Sequence, residues 1–131
     1  MSPAARAALL YSRSNDDCQV LSAWLGELGI PLVPEPDSDQ MLATAREQSC
    51  QFVLMNLDDE PGWQATLREI RRLAPATEVV VYTRRADVDV WLSALEAGAF
   101  DLLSKPLRRT EVEGVVANLR RERLRSARSA A

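Results

Sequence analysis

Residues 94–116, ALEAGAFDLLSKPLRRTEVEGVV, decide the fold. Gly98 is a helix-stop signal, and the short apolar run FDLL (100–103) follows it. SKP (104–106) breaks that run, and Val112, Val115, Val116 and Leu119 then recur at the i, i+3, i+4, i+7 spacing of one helix face. The stretch therefore reads as helix exit, strand, loop and helix.

The same alternation extends toward the N-terminus. Four more short apolar runs occur, AALLY (7–11), IPLV (30–33), FVLM (52–55) and VVVY (79–82). Most are nearly continuous rather than alternating, which suits strands covered on both faces, as in a parallel sheet. Between them lie helical stripes: Leu21, Trp24, Leu25, Leu28; a looser one at Trp63, Leu67, Ile70 and Leu73 or Ala74; and Val88, Trp91, Leu92, Leu95. The weakest helix, around 39–48, carries Met41, Leu42 and Ala45. Each stripe is read as facing the core. Gly29 and Pro75 stop helices, Ser14 or Asn15 caps the first, Asp87 caps the fourth, and Pro34 and Pro36 mark a loop. Five βα units predict an α/β fold: a doubly wound five-stranded parallel sheet, order 2-1-3-4-5, with five helices on its two faces.

Composition sets limits on function. The 131 residues fit one domain, read as 1–119 followed by a polar, arginine-rich tail or linker at 120–131. A net charge of −3 argues against nucleic acid as a whole-domain partner. Arg120, Arg121, Arg123, Arg125 and Arg128 lack interleaved aromatics, so no direct nucleic-acid contact is expected of them. With no histidine, a Ser-His-Asp or Cys-His set cannot form, and no glycine-rich nucleotide motif is present. Cys18 and Cys50 lack metal spacing and are expected as reduced thiols of a cytoplasmic protein. No apolar run reaches membrane-spanning length and no export signal is visible, so no membrane partner is expected.

In open α/β sheets, function gathers past the C-terminal ends of the strands. Those positions are Ser12, Arg13 and Ser14; Asn56, Leu57, Asp58 and Asp59; Thr83, Arg84 and Arg85; and Ser104, Lys105 and Pro106. Together with the AGA-D helix exit, the KP pair and VVVYT (79–83), they give the chain a resemblance to the CheY-like receiver domains of bacterial response regulators, from about Ala7 to Leu119. The resemblance implies a cis Lys105–Pro106 peptide. It places the family's invariant lysine on Lys105 and its hydroxyl switch on Thr83. The phospho-acceptor aspartate falls on Asn56, the two metal-binding acids on Ser12 and Arg13, and the aromatic switch on Leu102. By this reading the chain is an atypical pseudo-receiver lacking the acceptor aspartate.

Chemistry states the consequence. An acyl phosphate needs a carboxylate nucleophile, and the Asn56 amide is a far weaker one. Phosphoryl transfer also needs Mg²⁺, which prefers carboxylate oxygens; Ser12 offers a hydroxyl and Arg13 a positive charge. No cofactor, weak or absent Mg²⁺ binding and no enzymatic activity are expected. In the resting pocket, Arg13 is expected to be solvated and Lys105 to pair with Asp58 or hydrogen-bond Asn56. The alternative is a small-anion or metabolite sensor in which Arg13, Thr83 and Lys105 hold an anion. A third reading moves the phospho-acceptor to Asp58 or Asp59. The leading expectation is a phosphorylation-independent protein-interaction module in signalling or transcription regulation. Its partner, a protein or a second copy, would use the face of the fourth helix, fifth strand and fifth helix, including Arg85, Asp89, Leu102, Arg108, Glu111 and Arg121. The module is expected either to stand alone or to be joined to an output domain beyond Ala131.

Overall fold

A computed structural model describes residues 6–129. The elements are β1 (Ala8–Tyr11), α1 (Asn15–Glu27), β2 (Leu32–Pro34), α2 (Ser38–Glu47), β3 (Phe52–Asn56), a 3-10 turn (Leu57–Asp59), α3 (Trp63–Leu73), β4 (Glu78–Thr83), α4 (Val88–Glu96), β5 (Asp101–Ser104) and α5 (Arg109–Ser129). All pairings are parallel and the order is β2-β1-β3-β4-β5, as the sequence predicts. Strand bounds shift by a residue or two from the apolar runs, starting later in β1, β2 and β5 and reaching further in β3 and β4.

Alternation along the strands divides the core. Leu9, Val53, Met55, Val79 and Val81 point to the α2–α3–α4 side, where Met41, Ala45, Leu67, Ile70 and Ala94 meet them. Leu10, Phe52, Leu54, Val80 and Tyr82 point to the α1–α5 side, against Leu21, Leu25, Val112, Val115 and Val116. Ser14, not Asn15, caps α1 by accepting from Asp17 N, and Asp87 caps α4 by accepting from Val90 N. The Lys105–Pro106 peptide is cis. Both cysteines are free. Among the described residues, no helix is long and apolar enough to cross a membrane.

One core stripe is corrected. Val88, Trp91, Leu92 and Leu95 do not face the sheet; they are 68%, 45%, 50% and 40% exposed. The inner side of α4 is instead Val90 and Ala94, continued by Ala97. Apolar residues lie on both sides of this helix, so periodicity marks two candidate faces. The small side chains allow α4 to lie close against the sheet and leave the bulky ones outside. A second difference concerns 120–131: α5 continues as helix through Ser129, and the rest of that segment lies outside the described residues, as does the side chain of Arg128.

Gly98 closes α4 at φ +106°, and a Cβ there would meet Arg71 Cγ at 2.9 Å. Arg71 is itself tied down, donating to Thr77 O and pairing with Glu78 Oε1 at 2.9 Å. Gly98→Ala should therefore cost about 1–3 kcal/mol in urea unfolding. Gly26→Ala, inside α1 with open space around the added Cβ, should be neutral or stabilising.

Candidate functional site

The strand ends β1, β3, β4 and β5 bring Ser12, Asn56, Thr83 and Lys105 to one edge of the sheet. Asn56 bonds Ser12 directly, and three aspartates, Asp17, Asp58 and Asp59, take up the other side-chain donors. Asn56 is buried at the end of β3. Its Oδ1 accepts from Asp58 N at 3.0 Å. Its Nδ2 donates to Ser12 Oγ at 3.2 Å and Asp59 Oδ2 at 3.1 Å. Ser12 Oγ also accepts from Ser14 N at 3.1 Å, and Asp59 Oδ2 from Arg13 N at 2.8 Å. The Arg13 side chain is exposed, as expected.

Thr83 is buried, and its hydroxyl donates to Asp58 Oδ1 at 2.6 Å. The same carboxylate receives Arg84 N at 3.2–3.3 Å. Thr83 Oγ1 in turn accepts from Arg85 N at 3.0 Å. Leu102, half-buried on β5, packs against the α2–α3–α4 side of the core.

Lys105 corrects the resting-pocket reading. Its ammonium meets neither Asp58 nor Asn56; it pairs with Asp17 Oδ2 at 2.9 Å, in the first turn of α1. It crosses the Tyr82 ring at 5.7 Å from the centroid, and Tyr82 Oη donates to the same Asp17 oxygen at 3.1 Å. The two charged side chains are only 13% and 11% exposed. Burial raises the Tyr82 phenol, and the Asp17 charge adds to the rise, so it stays a donor at neutral pH. On the other side of the site, Tyr11 donates to Glu60. Burial, then Glu60, push its phenol up to about 12.

Asp17 and Tyr82 were absent from the sequence-derived site. A signal for Asp17 existed: it stands four residues before Leu21 and eight before Leu25, in register with the buried face of α1. A carboxylate on an apolar stripe needs a buried partner. Lys105 is the only lysine of the chain.

The comparisons with known proteins agree with this architecture. Residues 15–117 match the family described as the response regulator receiver domain. Transcriptional regulatory protein ZraR of Escherichia coli K12 is 36% identical over 91 residues, which cover 69% of this chain and 21% of that protein. The chain thus spans about a fifth of the curated relatives it matches. A response regulator from Thermotoga maritima superposes with a TM-score of 0.82 at 19% identity, covering 88% of this chain and 97% of that one. NtrX from Brucella abortus superposes with a TM-score of 0.85 at 20% identity, over 96% of this chain and 28% of that one. The receiver domain of the sensor histidine kinase PA1611 from Pseudomonas aeruginosa, which holds magnesium in its active-site cleft, has a TM-score of 0.75 at 26% identity, covering 90% and 97% of the two chains. With the fold, the strand-end cluster and the family match in agreement, the chain belongs to the response-regulator receiver family of two-component signalling.

Proposed function

We propose that this receiver works without phosphorylation, as a protein-interaction module in transcription-regulating two-component signalling. Asn56, at the acceptor position, supports the reading because it lacks a carboxylate and both ends of its amide are engaged within the chain. A magnesium ion fits the same place poorly. Ser12 supplies only a hydroxyl that already accepts two hydrogen bonds, and the nearby Asp59 oxygen accepts two more. Among the described residues, no group of three or more His, Cys, Asp or Glu is placed to hold a metal. The alternative acceptor Asp58 is occupied by Thr83 and Arg84, and the sensor residues Lys105 and Thr83 are each engaged by a carboxylate.

The observation that carries the interaction role is the outward apolar side of α4. Val88, Trp91, Leu92 and Leu95 form a continuous exposed stripe, and a shallow groove runs from Val88 and Trp91 to Leu102 on β5. Such patches mark protein contacts. The face built from α4, β5 and α5 carries both signs, with Arg85, Arg108, Arg121, Asp89 and Glu111 all exposed. That mixture suits an isologous pairing of two copies.

Sedimentation over a concentration series, with and without acetyl phosphate and Mg²⁺ and with intact mass read on the same samples, tests both parts. The expected result is self-association that acetyl phosphate leaves unchanged, with no added phosphoryl group. Leu92→Glu should weaken association at least about tenfold, a usual loss at a buried interface centre. Its unfolding free energy should stay within about 0.5 kcal/mol, because the residue is exposed. A strictly monomeric protein would rule out the second copy as occupant, and a phosphorylated one would end the phosphorylation-independent reading.

A further inference from the structure

We infer that Asp58 is a built-in anionic ligand for the end of β4, and that it positions the segment leading into α4. The segment from Thr83 to Asp87 contains a row of donors. The Thr83 hydroxyl and the Arg84 amide both converge on the Asp58 carboxylate, at 2.6 Å and 3.2–3.3 Å. Convergent hydroxyl and backbone N–H donors are the makings of an anion receptor. Here the chain supplies its own anion, from the 3-10 turn after β3.

From that point the hydrogen bonds run without a break to α4. Thr83 Oγ1 accepts from Arg85 N at 3.0 Å, Arg85 O from Asp87 N at 2.9 Å, and the Asp87 carboxylate from Val90 N at 2.9 Å. Asp58 is thereby linked, hydrogen bond by hydrogen bond, to the helix that carries the exposed apolar stripe. Asp58 itself is anchored from behind, since its amide donates to Asn56 Oδ1 at 3.0 Å. Asn56 thus acts as the turn's cap, and its neighbour Asp58 supplies the charge. No buried side-chain polar atom among the described residues lacks a partner, so the receptor is saturated with nothing added. That the clamp positions a docking surface rests on the interaction role proposed above; the clamp itself does not.

Hydrogen exchange on the full chain tests it, read at the amides of 84–92. In Asp58→Ala, exchange there should quicken about tenfold, the loss expected for hydrogen bonds to a charged group. Acetate in excess should then slow it again in Asp58→Ala, by filling the vacated donors. It should do nothing to the wild type or to Asp58→Ala/Thr83→Val. Asp58→Asn, which keeps an acceptor oxygen without the charge, should fall between wild type and Asp58→Ala; it also carries the test if the alanine variant folds poorly. Unchanged exchange in Asp58→Ala would overturn the inference. So would faster exchange that acetate fails to reverse, since a turn that had merely lost packing has no vacant anion receptor. The self-association result is read separately. A monomer with a rescuable loop keeps the clamp and loses the docking, and an associating protein with an indifferent loop does the reverse.

Discussion

Asp17→Ala should lower the unfolding free energy by about 3 kcal/mol, because it leaves a mostly buried ammonium without its counter-charge. Lys105 and Asp17 are 13% and 11% exposed and 2.9 Å apart, and the Tyr82 hydroxyl loses its acceptor in the same step. Urea midpoints measure the cost. Lys105→Met added to Asp17→Ala should recover a large part of it. An uncompensated buried charge is what destabilises, and an apolar isostere is often tolerated. If the double variant is as unstable as the sum of the single ones, the pair is not acting as a charge pair. The chain's single lysine offers an independent check. Apart from the α-amino group, amine acylation followed by mass has one target, and it should proceed faster in Asp17→Asn than in the wild type.

Asn56→Asp is the second large effect, and it runs against intuition. A carboxylate at this position should destabilise the protein at neutral pH by about 2–4 kcal/mol and still give no phosphoryl adduct with acetyl phosphate and Mg²⁺. The Asn56 amide nitrogen donates to Asp59 Oδ2 at 3.1 Å. A carboxylate in its place sets two like charges at that separation, and one carboxyl of the pair must have its folded pKa raised. An acid whose folded pKa is raised adds no penalty below its unfolded value, near 4. The penalty then grows with pH and is complete above the folded value. The stability gap between wild type and Asn56→Asp should therefore widen from pH 4 toward pH 7. A constant gap, or a phosphorylated variant, would contradict this picture of the pocket.

Much of the fold was legible because it is written in apolar periodicity. The five runs fall on the five strands, and Gly29 and Gly98 close helices at φ +77° and +106°. The α4 error has a definite source. Periodicity weighs a residue by apolarity, whereas a helix lying close on a sheet selects for size. Trp91 and Leu92 outweigh Ala94 and Ala97 on the first scale and lose to them on the second. The strand-end residues were correctly gathered at one edge, since topology alone puts them there. Their partners were not. Whether Lys105 turns toward Asp58 or Asp17 depends on a side chain crossing an aromatic ring to another helix, and spacing along the chain carries no record of that. Only the odd carboxylate in register with Leu21 and Leu25 hinted at it.

The length of α5 has a mechanical corollary. Among the described residues, Leu119 is the last buried one of α5, yet the helix continues to Ser129. At about 1.5 Å per residue the part beyond Leu119 is a rod of roughly 15 Å. A rod transmits twist as well as distance: each residue added or removed turns whatever is joined to it by about 100°. A reporter fused after Ser129 would thus sense the rotational phase of this helix, and single-residue insertions would sweep it around the axis in known steps.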